Sequence, residues 1–240
     1  MKRTMMTMIL TLCTLGFAIA QKEYRMFELI YLTPKAGMTK VLEENLKAHN
    51  KKFHTAAPYE AFIKTVVVGE HEGDFVWLMG PTTFTSLDGR PDDDAHKADW
   101  ATTVEPFVEK AGNVEYWKMK EGSNYDPEGG MENYNMQHIR FWEIKPGKYE
   151  AFMNALMKVT KVFKDNSYKE SWSVYINQFS TNSGRDVAAV SNMKNWATFD
   201  QDDTFVADYE KIYGKDSWKA AMAVFNDCTA SYTEEIGKFN

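Results

Sequence analysis

HIRFWEIKPGKYEAFM (138–153) starts with alternating side chains and ends with helical spacing. Upstream, ELIYLTPKAGMTKVLE (28–43) does the same. Alternation predicts a strand, and the Gly-containing tetrapeptide between the two patterns predicts a turn. After the turn, Tyr149, Phe152, Leu156, Val159 and Phe163 recur at three and four residues, as do Leu42, Leu46, His49 and Phe53 upstream, so each stretch opens an amphipathic helix. The order that follows is also shared. Upstream, strands are predicted at 24–33, 60–70, 75–80 and 113–120, with a helix carrying Trp100, Val104, Phe107 and Ala111 before the last. Downstream they are predicted at 136–144, 170–178, 185–193 and around 231–239, with helical segments from Asp203 to Tyr213 and from Ser217 onward. NWATFDQDD (195–203) mirrors TFTSLDGRP (83–91) in its order of aromatic, apolar and acidic residues.

These patterns predict an α+β chain of two tandem ferredoxin-like (βαββαβ) repeats, 21–120 and 131–240, joined by a Gly- and Pro-containing linker at 121–130. Each sheet would carry helices on one face and leave the other bare. Packing sheet to sheet would bury both bare faces in a fused barrel, while the intact chain could still form a homodimer through other surfaces.

Residues 1–20 fit a signal peptide cleaved after Ala20. Lys2 and Arg3 precede an apolar run that ends in Ala18-Ile19-Ala20, which predicts a periplasmic or secreted protein. Removing Lys2 and Arg3 from 28 basic residues leaves 26 against 34 acidic ones, net −8, which argues against nucleic acid as a partner. No later run is long enough for a membrane span. Beyond Cys13 only Cys228 remains, on an apolar helical stripe, so no internal disulfide is expected.

His138, Arg140 and the KPGK turn (145–148), with Phe152 near the helix start, resemble the opening of NIPSNAP-type and antibiotic-biosynthesis-monooxygenase-like domains in the dimeric α/β barrel superfamily. The resemblance implies a barrel of that kind. The superfamily includes quinone-forming monooxygenases, haem-binding enzymes, isomerases and members without known activity, so the fold alone does not choose among them. Haem enzymes of this group take a helix-borne His from the C-terminal half. Here the last His is His138, on a strand, so no cofactor is expected.

Alternation splits the first strands into two faces. Leu29, Tyr31, Ile139 and Phe141 are uniformly apolar and are assigned to the helix side, which leaves Glu28, Ile30, Leu32, His138, Arg140 and Trp142 for the barrel interior. On that register Glu28, His138 and Arg140 would share an enclosed space, either as catalytic groups or as a structural network. Trp142, Trp77, Tyr175 and Tyr116 are the candidate lining of a pocket for a small apolar or aromatic ligand. No metal site is expected. His49 and His54 are five apart, off a common helical face, while His71 falls in a turn and His96 just before a helix. Asp92-Asp93-Asp94 and Asp202-Asp203 stand where helices begin, where acids complement the helix dipole. No phosphate loop, zinc pattern or nucleophile elbow is present. The expectation is an exported barrel that binds a small molecule in its interior, with a cofactor-independent monooxygenase or isomerase, or a stress-related scaffold, as alternatives.

Overall fold

A computed structural model describes residues 24–181, 183–201 and 203–240. The expected leader at 1–20 lies outside the described residues. The strands are β1 (Met26–Pro34), β2 (Ala61–Val68), β3 (Phe75–Thr82), β4 (Val108–Ala111), β5 (Glu115–Met119), β6 (Met136–Ile144), β7 (Ser173–Asn177), β8 (Val187–Met193) and β9 (Thr229–Phe239). The helices are α1 (Thr39–Phe53), α2 (Phe84–Asp88), α3 (Asp94–Asp99), α4 (Tyr149–Asn166), α5 (Phe205–Tyr213) and α6 (Ser217–Cys228).

All ladders are antiparallel. Their order is β3-β2-β9-β6-β8-β7-β5-β1, and β1 returns to pair with β3, closing an eight-stranded barrel. The ladders β2–β9 and β5–β7 join the upstream strands to the downstream ones, so the halves meet edge to edge and no long edge stays open. Leu32 of β1 pairs with Phe75 on one side and Ala111 on the other, and Leu29 pairs with Glu115 on that second side. β4 and β5 are therefore two pieces of one broken strand. This corrects the helix expected to run through Ala111. α3 passes through one π-helical turn, Trp100–Val104, and a 3₁₀ turn containing Pro106, and at Val108 the backbone is already extended. Pro106 cannot donate to a helical ladder, which accounts for the stop.

Both chain openings turn in the same way. Met38 N–H donates to Lys35 O at 2.9 Å and Lys148 N–H to Lys145 O at 3.0 Å. Gly37 and Gly147 both hold φ 76°, a conformation that costs any residue with a Cβ. Each turn is then clamped to the chain just before the last strand of its half. The Lys35 N–H donates to Phe107 O and its Nζ to Pro106 O. The Lys145 N–H donates to Cys228 O and its Nζ to Asp227 O.

The barrel interior holds Phe27, Leu29, Tyr31, Trp117, Ile139 and Phe141 in one cluster that spans both halves. The outer face of β1 packs with α1 through Leu32, Leu42 and Leu46, and Trp142 of β6 meets Phe152 of α4 at 5.5 Å. The expected register is therefore inverted: the uniformly apolar set lines the interior, and Glu28, His138, Arg140 and Trp142 face outward toward the helices. The physical reason is dryness. A closed barrel interior is sealed on every side, so it takes the strand face with the fewest charges. Several of its polar groups pair with one another. The Arg185 guanidinium donates to the Tyr31 hydroxyl (2.9 Å) and to Glu235 Oε1 (2.8 Å), and the Tyr31 hydroxyl donates to Glu235 Oε2 (2.7 Å). Lys64 Nζ donates to Gln137 Oε1 at 2.8 Å. Side chains thus occupy the space where a ligand was expected.

Candidate functional site

A cavity of about 840 Å³ lies between the outer face of the downstream strands and helices α4, α5 and α6. That is the size of a small-molecule site. β6 builds its floor, because residues 138, 140 and 142 project from one face of an extended strand. Arg140 pairs across the ladder with Glu234, and Trp142 with Tyr232. Directly opposed residues share a face, so both partners project toward the same layer. Trp172, Phe163 and Trp218 make the aromatic walls. After β8 the chain turns at Asn195, whose Oδ1 accepts from Ala197 N–H, and a 3₁₀ turn brings the exposed Phe199 to 5.6 Å from His138.

The polar groups of this cavity form an unequal set. His138 Nε2 lies 2.6 Å from Glu234 Oε2, and the Tyr232 hydroxyl donates to the other oxygen of Glu234. Burial lowers the pKa of His138 below its usual value, and the Arg140 charge adds to that. The Glu234 hydrogen bond opposes both. The imidazole is then neutral at pH 7. Against a carboxylate it must carry its proton on Nε2, which leaves Nδ1 as an acceptor. Burial raises the Glu234 pKa, but the hydrogen bonds from Tyr232 and His138 and the Arg140 charge outweigh this and hold it below the ordinary carboxylate range. Arg140 Nη1 is buried and has no hydrogen-bond partner. A buried donor left unmade costs about 1–3 kcal/mol, more when charged.

The structure brings together His138, Arg140 and Trp142 but separates them from the other candidates. Glu28 occupies the matching place in the upstream half, where it accepts from Arg90 Nη1 through both oxygens at 3.0 Å. Trp77 is packed under α1, with its Nε1 donating to Asn50 Oδ1 at 2.8 Å. Tyr175 belongs to the barrel interior, 6.0 Å from Phe27, and Tyr116 packs at a tilt against Phe84 and edge-on against Phe179. Sequence reasoning missed Glu234 and Tyr232, because they lie on the last strand and meet β6 only through the ladder. The alternation of TASYTEEIGKF would have put Tyr232 and Glu234 on one face once the register of β9 was known.

Three histidines that their sequence spacing kept apart meet in the fold. His49, His54 and His96 converge, with one ring nitrogen of each within 4.8 Å of the others. His54 is not on the helix at all but is the residue that caps α1, with φ −130° and ψ 53°, so the five-residue spacing does not separate it from His49.

No family model matches the chain, and no curated protein does. Solved structures do match in fold. An anthrone oxidase-like protein aligns at TM-score 0.55 with 11% identity, over 91% of this chain and 92% of that one. A monooxygenase-like protein from Lactobacillus acidophilus aligns at TM-score 0.58 with 14% identity, over 90% and 94%. Chlorite dismutase from Candidatus Nitrospira defluvii aligns at 0.52 with 8% identity, over 91% and 92%. At these identities the likeness is one of fold: the chain is a fused α+β barrel of the kind seen in monooxygenase-like proteins.

Proposed function

We propose that the protein binds a planar, largely apolar aromatic molecule carrying one phenolic, enolic or carboxyl oxygen, in the cavity beneath its downstream helices. The observation that carries this reading is the unpartnered Nη1 of Arg140 on the floor of an aromatic-walled cavity of about 840 Å³. The ligand oxygen would accept from Arg140, and its rings would lie against Trp142 and Trp172. Replacing Arg140 by Met tests this. The variant should bind polycyclic phenols at least tenfold more weakly, read by quenching of tryptophan fluorescence. In the ligand-free state it should melt close to the parent, since losing the attraction to Glu234 is offset by removing a buried donor that has no partner. Unchanged affinity would overturn the reading.

A second reading adds chemistry, and the His138–Glu234 pair favours it. With Nε2 held by the carboxylate, His138 Nδ1 can take a proton from an acidified CH₂ or phenol of the bound molecule. The resulting carbanion or phenolate can pass electrons to molecular oxygen without a bound cofactor. For a CH₂ flanked by rings the balance is CH₂ + O₂ → C=O + H₂O, a cofactor-independent monooxygenation. Oxygen uptake with an anthrone-type substrate, lost in His138→Gln, distinguishes this from binding alone. Haem fits the site poorly: α4, α5 and α6 carry no His, and the Nε2 of His138 is committed to Glu234.

The common turn and the strand orders β5-β1-β3-β2 and β9-β6-β8-β7 support reading the halves as two fused copies of one βαββαβ unit. The KPGK turn of the second supports kinship with NIPSNAP-type domains. Export with cleavage after Ala20 belongs to the same proposal, and an exported chain beginning at Gln21 on N-terminal sequencing would support it. Among the described residues no helix is long and apolar enough to cross a membrane.

A further inference from the structure

His49 lies in the last turns of α1, His54 caps that helix, and His96 lies on α3. His49 Nε2 is 3.1 Å from His96 Nε2, and His54 Nε2 is 3.2 Å from the same atom. The opposite ring nitrogens are all committed elsewhere: His49 Nδ1 to Asp99 Oδ2 (2.9 Å), His54 Nδ1 to Tyr59 O (2.9 Å) and His96 Nδ1 to Pro91 O (3.3 Å). A carboxylate and two carbonyls can only accept, so every Nδ1 carries the proton. In neutral rings every Nε2 then presents a bare lone pair. Three lone pairs facing one another at such distances repel, and no hydrogen is left to place between them. A cation removes the conflict. Zinc–imidazole bonds of about 2.0–2.1 Å in a tetrahedral site put neighbouring nitrogens about 3.3 Å apart, close to the two separations seen here.

We propose that His49, His54 and His96 bind one zinc ion through their Nε2 atoms, with the fourth position open to water on the side of the half-buried His96. Asp99, Tyr59 O and Pro91 O act behind the ligands, fixing tautomer and ring orientation as such partners do in metal sites. Asp99 is itself fixed by Lys52 Nζ at 2.9 Å. Imidazole donors suit zinc, copper, nickel and iron, and an all-nitrogen set favours such ions over the hard cations. The ion would reinforce the link between α1 and α3 that Asp99 already makes through His49 and Lys52. The site is independent of the downstream cavity, because its residues belong to the upstream half and none lines that cavity.

The full-length protein, stripped with chelator and dialysed against zinc, should take up one equivalent by elemental analysis. Cobalt in its place should give the intense visible bands of a tetrahedral ion. His96→Ala, at a partly exposed position, should lose the bound zinc and the cobalt bands while keeping its circular dichroism. His71→Ala, a histidine outside the group, should keep both. Asp99→Asn should retain the site but weaken it roughly 10–100-fold. No zinc uptake by the parent, or uptake unchanged in His96→Ala, would overturn the proposal.

Discussion

The layer between sheet and helices is closed in the upstream half and open in the downstream half. Upstream, the outer face of β1 presents Glu28, Ile30 and Leu32. Glu28 is neutralised by Arg90, and Trp77, Trp100 and the histidine group fill the space toward α1 and α3. Downstream, β6 presents His138, Arg140 and Trp142 at the matching places, and the longer α4 with α5 and α6 stands off far enough to leave a cavity. Strand positions at the same distance from the turn glycine are thus packed in one half and border a cavity in the other. Upstream the carboxylate of Glu28 takes both its bonds from Arg90, whereas downstream Arg140 keeps one buried nitrogen without a hydrogen-bond partner.

The largest expected difference comes from deleting the same kind of side chain on each side, with metal chelated. Trp77 is 3% exposed and donates a buried hydrogen bond, so Trp77→Ala should cost about 3–5 kcal/mol. Trp142 is only partly buried against Phe152 and Tyr232, and Trp142→Ala enlarges a space that already exists. Its cost should be about 1–2 kcal/mol. Urea unfolding of both variants measures the gap. Equal losses would mean that the downstream layer is as tightly packed as the upstream one.

Much of this was legible in the sequence. Strand, turn and helix could be read in both openings, because Gly37 and Gly147 mark the turn and the helical stripes are clean. The barrel followed from sheets with one bare face each. The faces of β1 and β6 could not be read, because both are largely apolar: in ELIYL and HIRFW, alternation defines two sets without saying which one a closed interior will take. The candidate site was therefore half seen. His138, Arg140 and Trp142 do gather at a cavity, but outside the barrel, and their partners Glu234 and Tyr232 come from β9, with Glu234 lying 96 residues beyond His138. The histidine group was hidden for a different reason. Its geometry depends on where α1 stops, and a helix boundary is the least certain feature of any periodic pattern.

The barrel interior belongs to both halves and offers an intermediate effect. Lys64 of β2 is buried against Gln137 of β6, and desolvation lowers its pKa from 10.5 to about 8, with Glu235 opposing. Between pH 8 and 10 the unfolded chain binds a proton at this lysine that the folded chain has released. Stability should therefore rise with pH in that window, by at most about 1.4 kcal/mol per unit. Lys64→Met should flatten the rise. A slope unchanged in the variant would show that Glu235 keeps Lys64 charged in the fold.

His138→Gln should have the smallest effect on stability and tests the open half directly. The lost contact joins a buried imidazole to a carboxylate that is 46% exposed, so screening limits its worth to about 1 kcal/mol near pH 7. The pH dependence has a definite sign. Burial, with the Arg140 charge, holds the folded pKa of His138 below 6.5, so in mild acid the unfolded chain takes up this proton before the folded one does. Stability from this residue is present above pH 6.5 and declines as the pH falls below it, until the folded pKa is reached. The difference between parent and variant should therefore narrow on going from pH 7 to pH 5, and it should do so with zinc present or chelated, since the histidine group lies in the other half. A difference that widens in acid would mean that Glu234 dominates and His138 is charged in the fold. Nδ1 would then be a donor, and the cavity would be suited to holding an anion but not to removing a proton.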